Sequence, residues 1–126
     1  MAKIELKHIF IFNSVVGFLF GLGFMIMPAV LMTSLGMSDA ADGPISMRFF
    51  GILIFGSAIL AFGIRNEPNS AARQSVLLMG IFNYFVMDLF HFIFFDLSNF
   101  MLWSVIILHT VMAFVYGYFF IKNWGK

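Results

Sequence analysis

Four apolar stretches, Ile9–Met27, Phe49–Ile64, Val76–Phe95 and Phe100–Ile121, leave this chain few folds to choose from. A membrane-crossing helix needs about 20 mostly apolar residues, within a range of about 17–25. The first, third and fourth stretches meet that directly, and the second does once Ile45–Arg48 is included. A soluble helical bundle would need a polar exterior. Here 62% of residues are hydrophobic and only 10% charged, against roughly 45–50% and 25% in soluble domains. The sequence therefore predicts an all-α, integral membrane four-helix bundle running up-down-up-down. Its 126 residues form a single transmembrane domain, with spans at about 8–27, 45–65, 73–95 and 99–122.

Lys3 and Lys7 precede the first stretch as in a secretory signal, but a signal's apolar core is about 7–15 residues and ends at small residues. This stretch runs instead into Met27–Pro28, and reads as an uncleaved first span. The chain has no cysteine, which removes disulfides, thiol catalysis and thiolate-bound iron–sulfur clusters.

Lysine and arginine set orientation. Lys3, Lys7, Arg65, Arg73, Lys122 and Lys126 fall on one side of the four spans, and Arg48 alone on the other. Both termini are thus expected in the cytoplasm of a bacterial inner membrane. Asp39, Asp42 and Asp96 make the outer loops acidic. A net charge of +1 gives no reason to expect nucleic acid as a partner.

Local chemistry sets the helix ends. Pro28 cannot donate to a helix ladder, so the first span breaks near Met27. AVLMTSLG (29–36) is too short to cross and suits an interfacial turn or two ended by Gly36. Pro44 fits the first turn of span two, and Asn69 or Ser70 the cap of span three. DLSN (96–99) is a tight turn with Ser98 as the expected cap of span four, which makes spans three and four antiparallel neighbours. Trp103 and Trp124 stand near opposite ends of that last span, where interfacial aromatics belong.

NYFVMDLFHFIFFD (83–96) places an aspartate and a histidine three residues apart in an apolar run. At about 100° per residue, Asn83, Gly80, His91, Tyr84 and Asp88 fill one arc of about 140°, while Phe82, Phe85, Val86, Leu89 and Ile93 take the other side. His109, Ala113, Tyr116 and Gly117 share an arc of span four, and Asn13, Ser14, Gly17 and Gly21 one of span one. Gly17, Gly21, Ala113 and Gly117 are the small residues expected to pack helices, within the bundle or between copies. Counted from the outer turn at 1.5 Å per residue, His91 lies about 8 Å deep, Asp88 about 12 Å and His109 about 16 Å. Arg48 enters from the same side. Arg48, Asn83, Tyr84, Asp88, His91 and His109 are the candidate pocket.

An isolated carboxylate at such depth costs about 2.5–3.5 kcal/mol and survives by pairing or by facing a cavity. Three roles are open: an internal Asp88–Arg48 or Asp88–His109 pair that fixes helix register, a pocket for a quinone- or lipid-like ligand, and a proton or ion path. Bis-histidine haem is disfavoured, because the two histidines differ in depth by about 8 Å. Asp88 and His91 on adjacent turns, with His109 as a third ligand, could hold a metal, but an Asp-x-x-His pair alone is a weak motif and metal is disfavoured too. No hydrolase set is present: Ser57 and Ser104 are lone hydroxyls with no base placed beside them. The ten methionines are scattered, and Met25, Met27, Met32 and Met37 suit flexible packing.

PAVLMTSLG (28–36), MRFFGILIFGSAIL (47–60) and ARQSVLLMG (72–80) follow one another as in a known group. The chain resembles the small four-helix bacterial membrane proteins of the DoxX-like kind over most of its length. The resemblance implies the four-span architecture, with Arg48 as the matching arginine. The founding DoxX protein is associated with a thiosulfate:quinone oxidoreductase, a role that here would have to manage without cysteine. With minimal loops and no catalytic set, the expected role is a non-enzymatic accessory subunit. Its partners would be the lipid bilayer and larger membrane subunits or further copies of itself.

Overall fold

A computed structural model describes residues 5–37, 43–95 and 97–124. Lys3, Asp39, Asp42, Asp96 and Lys126, used above for the charge pattern, lie outside the described residues. Among those described, the elements are α1 (Leu6–Ile26), α2 (Pro28–Ser34), α3 (Gly43–Gly63), α4 (Ala71–Phe94) and α5 (Phe100–Asn123), with no strand. The four long helices are each long and apolar enough to cross a membrane. Leu19, Leu53, Phe85 and Phe114 are more than half exposed along them, a surface that lipid accepts and water does not. The chain is an integral membrane protein.

Its elements group into two compact units, one built on α1, α2 and α3, the other on α4 and α5 together with Leu35–Met37. In the first unit, α1 stops at Ile26 and α2 begins on Pro28, whose missing N–H is harmless in a first turn. Gly36, just past α2, has φ 71°, the left-handed conformation that glycine adopts without a Cβ penalty.

Antiparallel α1 and α3 meet through small residues. A Cβ added at Gly17 would stand 2.8 Å from Cβ of Ala58, and one at Gly21 would stand 2.9 Å from the backbone nitrogen of Phe55 and 3.0 Å from the carbonyl of Gly51. Only glycine permits so close a backbone approach, and in lipid the dispersion contacts it gains are a main source of helix association. Phe18 packs on Phe55 and Phe24 on Phe50, with ring centroids 4.9 and 5.7 Å apart, bracketing the small-residue seam. Inside the seam the buried Ser14 hydroxyl donates to Phe10 O of its own helix at 2.7 Å, so it leaves no polar group unmatched.

In the second unit, Ser70 caps α4 by accepting from the Arg73 N–H. The cap of α5 is Asn99 and not Ser98. Its side-chain oxygen accepts from Met101 N at 2.9 Å and Leu102 N at 3.2 Å. Asparagine reaches two of the orphan first-turn amides here, and its position one residue later sets where the helix begins. The indole N–H of Trp103 donates to Leu97 O at 2.8 Å and closes the turn. At the far end of the pair, Asn69 donates to Asn123 O at 2.8 Å. With both ends of the hairpin fixed, the register of α4 against α5 is set.

Candidate polar centre in the α4–α5 pair

Two side-chain stripes face each other along this hairpin. On α4, Leu77, Gly80, Tyr84, Asp88 and His91 recur at three- and four-residue spacing; on α5, Leu102, Ile106, His109, Met112 and Tyr116 do the same. Leu77 and Leu102 are fully buried, so the apolar part of the stripe is a packed core. Gly80 gives Tyr116 its place: a Cβ at Gly80 would overlap the Tyr116 ring. From there the rings form a continuous ladder. Tyr116 meets Tyr84 edge-on at 5.9 Å, Tyr84 lies 5.3 Å from His109, His109 stacks on His91 at 5.5 Å, and His91 meets Phe95 at 5.0 Å.

Asp88 sits inside this ladder. Its Oδ2 accepts a hydrogen bond from the Thr110 hydroxyl at 2.8 Å. Its Oδ1 lies 3.3 Å from Nδ1 of His109 and 3.9 Å from Nδ1 of His91. The side chains of Asp88, His91 and His109 are only 13%, 5% and 17% exposed. Oδ1 of Asp88 and both Nδ1 atoms are buried, yet none has a hydrogen-bond partner. Buried polar atoms are nearly always paired, because an unmet one costs about 1–3 kcal/mol. Three of them converging on one point is a local departure from that rule, and departures of this kind cluster at functional sites.

The separation of the histidines by depth does not survive in the side chains. Counting residues tracks only Cα positions, whereas every Cα–Cβ bond leans toward its helix N-terminus. Because α4 and α5 are antiparallel, His91 leans inward from the turn and His109 leans back toward it. Their rings end up 5.5 Å apart and inclined at 29°, so the depth difference counted along the helices does not separate the two side chains.

The structure brings Asp88, His91 and His109 together, with Tyr84 alongside. Asn83 is exposed, since it stands at the margin of its arc, roughly a quarter-turn from the middle of the stripe. Arg48 has an exposed side chain on α3 and belongs to the other unit. Ala113 is half-buried on α5, and a Cβ at Gly117 would meet nothing within 4 Å. Thr110 was not anticipated from the sequence. It lies about 100° from His109 on the helix wheel, beyond the polar arc, and only the two-oxygen reach of a carboxylate lets Asp88 contact both neighbours.

A cavity of about 620 Å³ opens at the other end of the hairpin, lined by Asn69, Ser70, Gln74, Phe120, Asn123 and Trp124. It holds no ionisable cluster and lies several turns from Asp88. Comparisons of the chain with protein-family models, with curated proteins and with solved structures find no match.

Proposed function

We propose that this integral membrane protein is non-enzymatic and holds a small ligand at Asp88, His91 and His109, inside the α4–α5 hairpin. One observation carries the proposal: Oδ1 of Asp88 and the Nδ1 atoms of His91 and His109 are buried and within ion-pair distance, 3.9 and 3.3 Å, yet make no hydrogen bond. A carboxylate and imidazole that served only to fix helix register would align one hydrogen bond and satisfy each other. Here Thr110 already fixes the carboxylate through Oδ2, while Oδ1 and two imidazole nitrogens are held close and left unmet.

A melting series in detergent tests this. In a ligand site, Asp88→Asn keeps the Thr110 hydrogen bond, removes a buried charge and melts within about 2 °C of the wild type. In a structural pair the same change lowers the midpoint by several degrees, at roughly 4 °C per kcal/mol for a chain between the 60–100- and 150–250-residue classes. A large drop overturns the ligand-site proposal.

We also propose a four-span topology with both termini in the cytoplasm of a bacterial inner membrane. Charge placement within each unit supports it. Lys7 precedes the core of α1 and Arg65 follows α3 at the same end of that antiparallel pair, with Arg48 at the other. Arg73 in the first turn of α4 and Lys122 in the last turn of α5 likewise share an end. This is the lysine and arginine asymmetry that sets orientation. The likeness to DoxX-like proteins in residues 28–36, 47–60 and 72–80 agrees with the same architecture. A role as accessory subunit is the second proposal, supported by short loops and the wide apolar exterior. Native mass spectrometry of gently solubilised protein separates the two: co-purifying larger subunits support it, and a lone chain with a retained ligand overturns it.

A further inference from the structure

The unpaired atoms narrow what the ligand can be. One donor atom from each of Asp88, His91 and His109 can be chosen so that all three lie within 4.8 Å of one another. A tetrahedral ion with bonds of about 2.0–2.1 Å separates its ligand atoms by about 3.3 Å. The Asp88–His109 edge, at 3.3 Å, already has that length, and the Asp88–His91 edge, at 3.9 Å, needs only a small side-chain rotation. Two Nδ1–H tautomers donating to Oδ1 would also satisfy the three atoms, but at 3.3 and 3.9 Å neither nitrogen makes a hydrogen bond to it. A cation bound by all three satisfies every one.

Resting on the ligand-holding role proposed above, we propose that Asp88, His91 and His109 form a site for a divalent transition-metal ion of the zinc class. Two neutral imidazoles and one carboxylate match the preferences of such ions, whereas calcium and magnesium take all-oxygen shells. His91 is 95% enclosed, and its Nδ1, 3.9 Å from Oδ1 of Asp88, makes no hydrogen bond. Thr110 supplies the outer support that metal-binding carboxylates require, holding Oδ2 so that Oδ1 faces the histidines. The rings of Tyr84 and Phe95 flank the imidazoles and restrict their rotation. A dication with one carboxylate and two neutral imidazoles leaves a net charge of +1, which an anion such as hydroxide in the fourth position would neutralise. Three protein ligands leave a fourth position for water or an anion, as in zinc sites that exchange ligands.

The test uses the full chain, purified in detergent, stripped with EDTA and titrated with Co²⁺. The expected result is the visible absorption of four-coordinate cobalt, saturating at one equivalent and displaced by Zn²⁺, with Zn²⁺ also raising the melting midpoint. His91→Gln and His109→Gln each lose the band while their far-ultraviolet dichroism stays helical. Thr110→Val keeps the band, with cobalt affinity lowered about 10–100-fold. Equal cobalt uptake by the wild type and the His91→Gln/His109→Gln double variant overturns the metal site, as does no uptake at all. The Asp88→Asn melting series then shows how far the failure reaches. If that variant melts with the wild type, the ligand-holding role stands and only the metal is wrong; if it is strongly destabilised, both fall.

Discussion

Oδ1 of Asp88 lies 3.3 Å from Nδ1 of His109 across the α4–α5 hairpin, yet neither atom makes a hydrogen bond. The carboxylate is oriented instead by its other oxygen, through Thr110. This division of labour makes Thr110 a positioning residue. Thr110→Val preserves shape but strips the hydrogen bond that the Asp88 carboxylate accepts, and hydrogen bonds to charged groups contribute about 1.5–3 kcal/mol. We expect Thr110→Val to lower the melting midpoint by several degrees, and Thr110→Ser to restore most of it. Asp88→Asn in the Thr110→Val background is expected to recover stability, because an amide is less costly to leave unpaired than a carboxylate. A double-mutant cycle showing no coupling between positions 88 and 110 would contradict the contact.

Gly80 and Tyr116 form the second fixed point of the hairpin. With a Cβ at position 80, either the ring or the α4 backbone must move, and overpacking of this kind costs about 1–3 kcal/mol. Gly80→Ala is expected to destabilise the protein by that amount. In a Tyr116→Leu background the same change is expected to cost less, since the ring edge is gone. Chemical denaturation in mild detergent reads both; equal costs in the two backgrounds would show that the ring does not occupy the Gly80 face.

Much of this architecture was legible in the sequence because lipid is an undiscriminating solvent. Length and apolarity alone locate the spans, and Pro28 and Ser70 mark their boundaries by simple backbone chemistry. The stripe carrying Asp88, His91 and Tyr84 was legible for the same reason, since a 3.6-residue period sorts polar from apolar whatever the neighbour. The contact partners were not. The convergence of His91 and His109 depends on opposite side-chain leans in an antiparallel pair, and Thr110 depends on which carboxylate oxygen faces it. Neither follows from position on a wheel. Asn99 displaced Ser98 as cap because two adjacent cap-forming residues compete, and turn geometry decides between them.

Glycines in this chain divide by what they face, and alanine substitution reads the division. Gly21 stands against backbone atoms of α3 that cannot swing aside, so Gly21→Ala is expected to cost about 1–3 kcal/mol. Gly117 has open space around its Cβ direction. There the same change meets no atom within the chain, and is expected to fall within about 0.5 kcal/mol of neutral, as surface substitutions do. A large loss at Gly117, appearing only in membranes or native extracts, would mean that a second chain packs on that face.

The orientation of the spans can be settled chemically, because the chain contains no cysteine and each introduced thiol reports alone. Glu67 follows α3 and Ser98 lies in the turn before α5, so in the four-span topology they sit on opposite sides of the membrane. Arg65 and Arg73 bracket the first position, and Lys122 closes α5 at the α4 N-terminal end of its hairpin; by the lysine and arginine rule that side is expected to be cytoplasmic. In intact cells, a membrane-impermeant maleimide is therefore expected to label Ser98→Cys and to spare Glu67→Cys until the membrane is permeabilised. The depth of the polar centre follows from the same result. Asp88 is about 10 residues from Ser98, or about 15 Å at 1.5 Å per residue, and about 21 residues from Glu67. With Ser98 outside, the centre lies nearer the outer face than the cytoplasmic one. Labelling of Glu67→Cys alone in intact cells would invert the topology and place the centre nearer the cytoplasmic face.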